Sequence, residues 1–388
     1  MTIFMASIIL TIISSGFEES MSSIRKIVSQ RTGEATWQVD YKDAAGVRRA
    51  KNFKKKRDAE GWRTKTDRDL QLGLHTPDAI SLTVAEASEL WITSAKKRRL
   101  ERSTLRQYEI HAERHINPVL GSQKLSRLTT PAVEAFIDDL EASASLPTAR
   151  KVLSSLRSII GEAQRQGYVA QNVAQMVRRR ISTRDKADKV IPTKDEIRLL
   201  VGSASGRWRP LIITAIFSGM RASELRGLRW HNVDLEKGII KVRERADEWA
   251  RFGPPKSRAG TRDIPVAPVV IEELQRWQAD CPVGDLNLVF PNGAGNVESQ
   301  ANIYSRGFAP LMKVCRIVDS DGSLKFNFHA LRHAYASLMI EHGMSPKRIQ
   351  TIMGHSSITM TFDTYGHLWD NFDEDKLAMK EIQGQLLG

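Results

Sequence analysis

Cysteine is almost absent from this chain. There are two in 388 residues, Cys281 and Cys315, far apart and in no Cys-x-x-Cys or Cys/His cluster. Their scarcity excludes a disulfide scaffold and a structural zinc site and fits a reducing, cytoplasmic setting. Acidic residues are outnumbered, 45 against 58 Lys and Arg, so the formal net charge is +13. Aromatic residues make up only 7%. Long apolar runs are missing, with one exception at 3–17, and that run is shorter than the roughly 20 residues a membrane span requires. No Lys or Arg precedes it, so it does not suit a secretory signal either. Residues 1–20 read as an over-extended start or disordered leader before Met21, with no membrane role. Neither a Walker-type phosphate loop nor an internal repeat is present. What remains is a globular composition, 41% hydrophobic and 27% charged. It is long enough for roughly two to three domains with real cores. The positive excess points to a polyanion, nucleic acid before a membrane surface.

The charge is unevenly spread. Between Arg25 and His75 stand 14 Lys and Arg against 7 Asp and Glu, an excess of seven out of the chain's thirteen. Trp37, Val39 and Tyr41 alternate with Gln38 and Asp40, the period of a half-buried strand. Asp43 to Gly46 is a turn, and 47–53 can return as a second strand. Lys54, Lys55, Lys56 and Arg57 then lead into a helix over 59–72 that stops at Gly73. A two- or three-stranded sheet backed by one helix follows for 25–75. Such a sheet with a basic face can lie in a DNA groove, although charge runs are often only solvated surface.

His75 to Asp78 reads as a linker, and from Thr83 the pattern is helical. Helices are expected at 84–94, at 103–115 with Ser103 as cap, at 130 onward with Thr130 capping before Pro131, and at 148–167 ending on glycine. This predicts a helical domain over 82–180. Two basic runs bracket it and suit phosphate contacts: Lys96, Lys97, Arg98 and Arg99 at one end, Arg178, Arg179 and Arg180 at the other. A polar, charged linker spans 182–189. The last domain, 190–388, is expected to be mixed. Its helices fall at 194–202, 208–218, 222–228, 268–279, 300–316, 328–342 and 345–353, with a short sheet at 238–244 and 261–266.

Three segments of that domain carry chemistry. In Ser218 to Leu225 a glycine turn sets Arg221 at a helix start, where backbone N–H groups favour an anion, and Glu224 can orient its guanidinium. Alone, this is no more than a common i,i+3 ion pair. On a helix, His329, Arg332 and His333 share one face. The two histidines have zinc-like spacing, yet the guanidinium between them repels a cation and the glutamate of an H-E-x-x-H site is missing, so no metal is expected. Imidazole beside guanidinium suits a phosphate instead. The third segment is Gly354-His355-Ser356-Ser357 followed by Thr364-Tyr365-Gly366-His367, in an irregular polar stretch. A lone tyrosine is usually a packing residue. The order Arg, His-x-x-Arg, Gly-His, Tyr is what alters that reading.

That order resembles the tyrosine recombinases, in particular phage- and island-type integrases. Ser218–Leu225, His329–His333, Gly354–Ser357 and Tyr365 match their four motifs, with Ala330 where many members carry Asp. The family also uses a lysine on a β-hairpin. Lys256, just before the strand expected at 263–266, is the only lysine between Lys241 and Lys313. The resemblance implies a multidomain chain, mainly α with small β-sheets: an arm-type DNA-binding sheet plus helix, a SAM-like helical core-binding domain and a mixed α+β catalytic domain. It implies Tyr365 as nucleophile toward a DNA phosphodiester, His329 as its base, Arg221 and Arg332 as clamps, Lys256 as acid for the leaving 5′-oxygen, and His355 as a phosphate contact. Glu224 and His333 are supporting residues. No cofactor is implied.

The resemblance further implies a homotetramer on double-stranded attachment sites, exchange through a Holliday junction, and help from an excisionase and a host DNA-bending protein. A tail helix over 375–387, with Leu377, Met379, Ile382 and Leu386 apolar, can dock on a neighbouring subunit or pack in cis. Chromosome-dimer resolvases of the same family lack the arm block at 25–75. A catalytically inactive DNA-binding regulator is disfavoured by retention of all six expected catalytic positions. A type IB topoisomerase would not need the two-part DNA-binding layout.

Overall fold

The computed structural model describes residues 22–28, 33–179, 190–369 and 372–387. The leader at 1–20, Arg180 and the linker at 182–189 lie outside the described residues. The chain divides into two compact units, Met1–Asp185 and Lys186–Gly388.

In the first unit, β1 (Ser22–Val28), β2 (Ala35–Lys42) and β3 (Arg48–Phe53) form an antiparallel sheet in chain order. Val39 and Tyr41 are buried, as their alternation predicts. Helix α1 (Lys56–Gln71) packs across them through Ala59 and Leu70. The Asp43 carboxylate shapes the β2–β3 turn by accepting the N–H groups of Ala45 at 3.0 Å and Val47 at 2.9 Å. Strand β1 is the third strand of the expected two- or three-stranded sheet, in a place the pattern does not mark, and it begins before the expected boundary at 25. Its Ser-Ser-Ile-Arg-Lys-Ile-Val sequence has weak alternation, and the pairing of Ser22 with Tyr41 through Val28 with Ala35 supplies what the pattern does not.

The expected linker is bolted at both ends. His75 Nε2 lies 3.0 Å from the Tyr41 hydroxyl, and the Asp78 carboxylate accepts from Ser126 at 2.7 Å and Arg127 at 2.7 Å. Beyond it come α2 (Val84–Lys97), α3 (Arg102–Ile110), α4 (Asn117–Leu120), α5 (Thr130–Ser143) and α6 (Leu146–Arg165). A wide helical turn over His111–Ile116 joins α3 to α4. Thr83 and Glu86 form a capping box at α2. Two expected caps shift. The start of α3 falls at Glu101, so Ser103 is already inside the first turn; the cap of α5 is Thr129, whose extended backbone lets its hydroxyl accept the Ala132 N–H at 3.4 Å. Val84, Ala87 and Trp91 of α2 share one buried core with Val152, Leu156, Ile159 and Ala163 of α6.

The second unit begins with α7 (Lys194–Ser203), α8 (Arg209–Ser218) and α9 (Ala222–Arg226). Strands β4 (Val233–Asp234), β5 (Ile239–Val242), β6 (Arg245–Ala246), β7 (Phe252–Gly253) and β8 (Arg262–Pro265) follow. They form one sheet ordered β4-β5-β8 and a β6–β7 hairpin. Next are α10 (Pro268–Asp280), α11 (Gln300–Asn302), α12 (Ala309–Val314), α13 (Ala330–Glu341), α14 (Pro346–Met353), α15 (Ile358–Tyr365) and α16 (Phe372–Leu387). The expected helix at 300–316 is present as one continuous helical run from Gln300 to Val314, in which a wider π turn at Ile303–Phe308 links α11 to α12. Helix α8 is apolar on every side and lies in the middle of the core.

Tyr365 is not in an irregular stretch. It ends α15, which starts from Ser357, whose hydroxyl accepts the Thr359 N–H at 3.1 Å. Ile358, Thr361 and Tyr365 face inward at helical spacing, so packing holds a segment that its Thr-rich composition would not. Among the described residues no helix is long and apolar enough to cross a membrane.

Candidate active site

Helix α8 ends at Gly219 with φ +59°, and the chain turns straight into α9 with Arg221 at its cap. Glycine is required there twice over, because a Cβ would also meet Tyr335 at 2.5 Å. The buried carboxylate of Glu224 then accepts the Arg221 backbone N–H at 3.0 Å and its guanidinium at 2.8 Å. The other guanidinium end of Arg221 donates to the Gly354 carbonyl at 3.0 Å. Burial alone would raise the Glu224 carboxyl. The charge and hydrogen bonds of Arg262, with Arg221 after it, reverse this and hold it below the ordinary carboxylate value.

Arg332 projects from the first turn of α13 and is 3% exposed. It donates to the carbonyls of Gly219 and Met353, at the C-terminal ends of α8 and α14. Both helix dipoles present their negative ends to this cation. Burial, and then the neighbouring Arg221, bring its pKa down to about 9, so it is still charged at neutral pH.

His355 follows Gly354, which closes α14 in the left-handed conformation. Its Nδ1 lies 2.9 Å from the hydroxyl of Thr361, a fully buried partner on α15. Burial first, then Arg332 and Arg221, push the imidazole down to about 3, so the ring is neutral at physiological pH. With the Thr361 hydroxyl as donor, the proton sits on Nε2. The Tyr365 ring lies nearly parallel to it, centroids 6.4 Å apart at 11°. Tyr365 is 1% exposed, and burial pushes its hydroxyl up to about 12 against the opposing pull of Arg332.

The Tyr365 hydroxyl is 2.7 Å from Nδ1 of His333, expected only as a supporting residue. His329, expected as the base, caps α13 on its exposed side, with its ring edge-on to His333 at 5.0 Å. Arg221, Glu224, Arg332, His333, His355 and Tyr365 thus gather where the ends of α8, α9, α13, α14 and α15 meet. Lys256 stands apart on an exposed loop between β7 and β8.

Arg262 belongs to the cluster, bonded to both Glu224 oxygens, and was not among the expected site residues. A signal was available: β8 alternates inward Arg262 and Ile264 with outward Asp263 and Pro265, so the arginine faces the core. Among the described residues no group of His, Cys, Asp or Glu is placed to hold a metal ion.

The expected DNA contacts sit differently. Lys54 to Arg57 are exposed at the start of α1, and Lys56 lies over the Trp37 ring at 5.5 Å. Lys97, Arg98 and Arg99 are exposed at the end of α2, while Lys96 pairs with Glu109 at 3.0 Å. Arg178 is exposed, but Arg179 turns back to Asp138 and to Glu141, the latter at 3.3 Å. That internal pairing lowers what Arg179 can offer a phosphate.

The sequence matches the phage integrase family over residues 192–371 and the phage integrase central domain over 84–180. Among curated relatives, prophage integrase IntR of Escherichia coli (strain K12) is 26% identical over 267 residues, 63% of this chain and 64% of that protein. The chain therefore spans just under two thirds of that relative's length. The fold is that of the Tn1549 transposon integrase solved with a circular intermediate DNA, at TM-score 0.67 and 22% identity, covering 78% of this chain and 100% of that one. It is also that of a lambda integrase tetramer bound to a Holliday junction, at TM-score 0.58 and 18% identity, covering 86% and 96%. The two sequence matches fall on the helical segment and on the unit that gathers Arg221, Arg332, His355 and Tyr365, and the chain belongs to the phage integrase family, the site-specific tyrosine recombinases.

Proposed function

We propose that this chain is an integrase that cuts and rejoins duplex DNA at attachment sites through a covalent 3′-phosphotyrosine, inserting and excising a phage or other mobile element. One observation carries this reading: a buried tyrosine hydroxyl meets an imidazole at 2.7 Å beside the buried Arg332 and the half-buried Arg221. A phosphodiester there is clamped by Arg221 and Arg332 as charge builds on its non-bridging oxygens. His355, neutral, donates from Nε2 to the same phosphate. The permanent guanidinium charge does the work a metal would otherwise do.

Tyr365 Oη attacks phosphorus, and the bond from phosphorus to the 5′-oxygen breaks. A hydroxyl held at about 12 costs roughly 7 kcal/mol to ionise at pH 7. Attack and proton loss are therefore concerted. We assign the proton to His333 Nδ1, with His329 beside it as the alternative acceptor on DNA. Lys256 gives a proton to the 5′-oxygen, which leaves as a hydroxyl. The phosphotyrosine keeps the bond energy, so rejoining by a 5′-hydroxyl needs no ATP.

The same reading gives the basic runs Lys54–Arg57 and Lys96–Arg99 to DNA phosphates and the β1–β3 sheet to distant arm sites. Four copies act together on paired sites, in the bacterial cytoplasm, with an excisionase and a host DNA-bending protein setting direction. Met379, Ile382 and Leu386 on α16 are exposed, which supports docking of this tail on a second copy of the chain. Incubation with a nicked attachment-site duplex, followed by a denaturing gel, tests the chemistry. A covalent adduct is expected from the wild type and none from Tyr365→Phe; an adduct from the variant removes Tyr365 as nucleophile.

A further inference from the structure

Arg262 is a buried cation, tied down by each of its three nitrogens, that the cleavage chemistry does not use. Its side chain is 3% exposed. Nε donates to the Ile352 carbonyl at 2.6 Å. Nη1 donates to the Gly260 carbonyl at 2.9 Å, with a longer contact to Glu224 Oε1 at 3.3 Å. Nη2 donates to Glu224 Oε2 at 2.9 Å. Three segments remote in sequence therefore converge on one planar group: the carboxylate that holds Arg221, the last turn of α14 before His355, and the loop that carries Lys256.

The loop is tied closely to this group. Gly260 packs so tightly against Pro255 that a Cβ would sit 2.5 Å from the proline Cβ, and Pro255 is the residue before Lys256. On the other side, a Cβ at Gly354 would meet the Ala259 carbonyl at 3.0 Å and Arg262 Cδ at 3.1 Å. Movement of the arginine is thus felt at Pro255–Lys256 and at Gly354–His355 together. A buried guanidinium must satisfy its donors in fixed directions, and lysine, a point charge on a flexible stem, cannot reproduce that fork.

We infer that Arg262 is a positioning residue that registers the Lys256 loop against the Arg221 cradle, setting where the general acid stands relative to the clamped phosphate. It touches no reacting atom. The inference rests on the proposed cleavage chemistry, with Lys256 as proton donor to the 5′-oxygen.

The test must separate misplacement of the acid from a general loss of fold. A 5′-bridging phosphorothiolate does so, because a thiolate leaves without being protonated, whereas the ordinary 5′-oxygen needs the acid. Two nicked duplexes from the junction of the element that encodes the chain, one with oxygen and one with sulfur at the bridging position, are cleaved under single-turnover conditions. The readout is the sulfur-to-oxygen rate ratio, in which losses common to both substrates cancel. Arg262→Lys should raise this ratio about tenfold or more over wild type, and Lys256→Ala further, within the range of general-acid effects. Arg221→Ala should slow both substrates and leave the ratio near the wild-type value.

Gly260→Ala provides a second route. It displaces Pro255 while keeping both charged partners, Arg262 and Glu224, and the Gly260 carbonyl that Arg262 bonds, and should raise the ratio in the same way, even if Arg262→Lys does not fold. Ratios unchanged from wild type in Gly260→Ala, or in a folded Arg262→Lys that cleaves more slowly, overturn the inference while wild-type cleavage preserves the reading of the site. A wild-type chain that forms no adduct on either duplex overturns that reading and the inference with it.

Discussion

The arginines and lysines of this chain live in two regimes. Lys54 to Arg57 and Lys97 to Arg99 are exposed. Arg226, Arg262 and Arg332 are 2%, 6% and 3% exposed, each bonded to backbone carbonyls, and Arg262 also to a buried carboxylate. Exposed cations are weakly coupled to any one neighbour and are screened by salt. Buried ones cost several kcal/mol of desolvation each, which only a fixed set of acceptors can offset. The first group can supply affinity without geometry. The second supplies geometry, and its cost in stability is understandable if the site is built to receive another anion. Net charge reports the first regime, while the chemistry belongs to the second.

Arg332 is where a buried cation matters most. Lysine there keeps the charge but cannot donate to the Gly219 and Met353 carbonyls and to a phosphate at once. Arg332→Lys should lose about 10³-fold in single-turnover cleavage, the scale of removing a main transition-state donor. Retained cleavage would mean that charge suffices and that the buried fork is only structural. Glu224→Gln comes next. It leaves Arg262 and Arg221 facing a neutral amide and should destabilise the second unit by about 3 kcal/mol at pH 7, as breaking a buried pair does. The folded Glu224 pKa lies below the unfolded 4.5, so its contribution is complete above that value and is lost as pH falls through the folded one. Urea melts of wild type and variant should therefore differ at pH 7 and converge on acidification below about 4.5. A gap independent of pH would point to packing rather than charge.

Much of this site is legible in the sequence because the order of Arg221, His329-x-x-Arg332, Gly354-His355 and Tyr365 is specific, whatever elements carry it. The less legible parts share a cause: their partners lie far away in the chain. Glu224 is 38 residues from Arg262, and β1 finds its hydrogen bonds only across β2. The helix under Tyr365 is hidden by its three threonines, whose weak helix propensity is overridden by the packing of Ile358, Thr361 and Tyr365. His333 stands next to Arg332 in sequence, yet only the return of α15 brings the tyrosine hydroxyl to its Nδ1.

A smaller effect sharpens the contrast from within the site. His355 is held at about 3 by burial and by Arg332 and Arg221, against 6.5 for a free imidazole. Its depressed pKa means the unfolded chain takes up a proton first as pH falls. Stability is full above 6.5 and declines from there toward about 3, by about 2 kcal/mol on reaching pH 5. His355→Gln, which cannot titrate, should flatten that part of the stability curve. The same slope in wild type and variant would show that neither burial nor the guanidinium field depresses the ring.

The exposed regime is tested at Lys54, Lys55, Lys56 and Arg57, where the expected change in fold is smallest. These cations crowd the N-terminal end of α1, where the helix dipole is also positive, so they repel one another and the helix until an anion is present. Lys56 is partly offset by Glu60 at 3.4 Å and by the Trp37 ring. Replacing all four with alanine should leave the melting temperature unchanged or slightly raised. It should weaken DNA binding with a shallower salt dependence, the slope of log K against log[salt] falling by up to about 3 as phosphate contacts are lost. The Glu60 and Trp37 contacts are the reason to expect less than four full charges. An unchanged slope would mean that this run is solvated surface, and that DNA affinity rests on the cations of α2 and on the buried cradle itself.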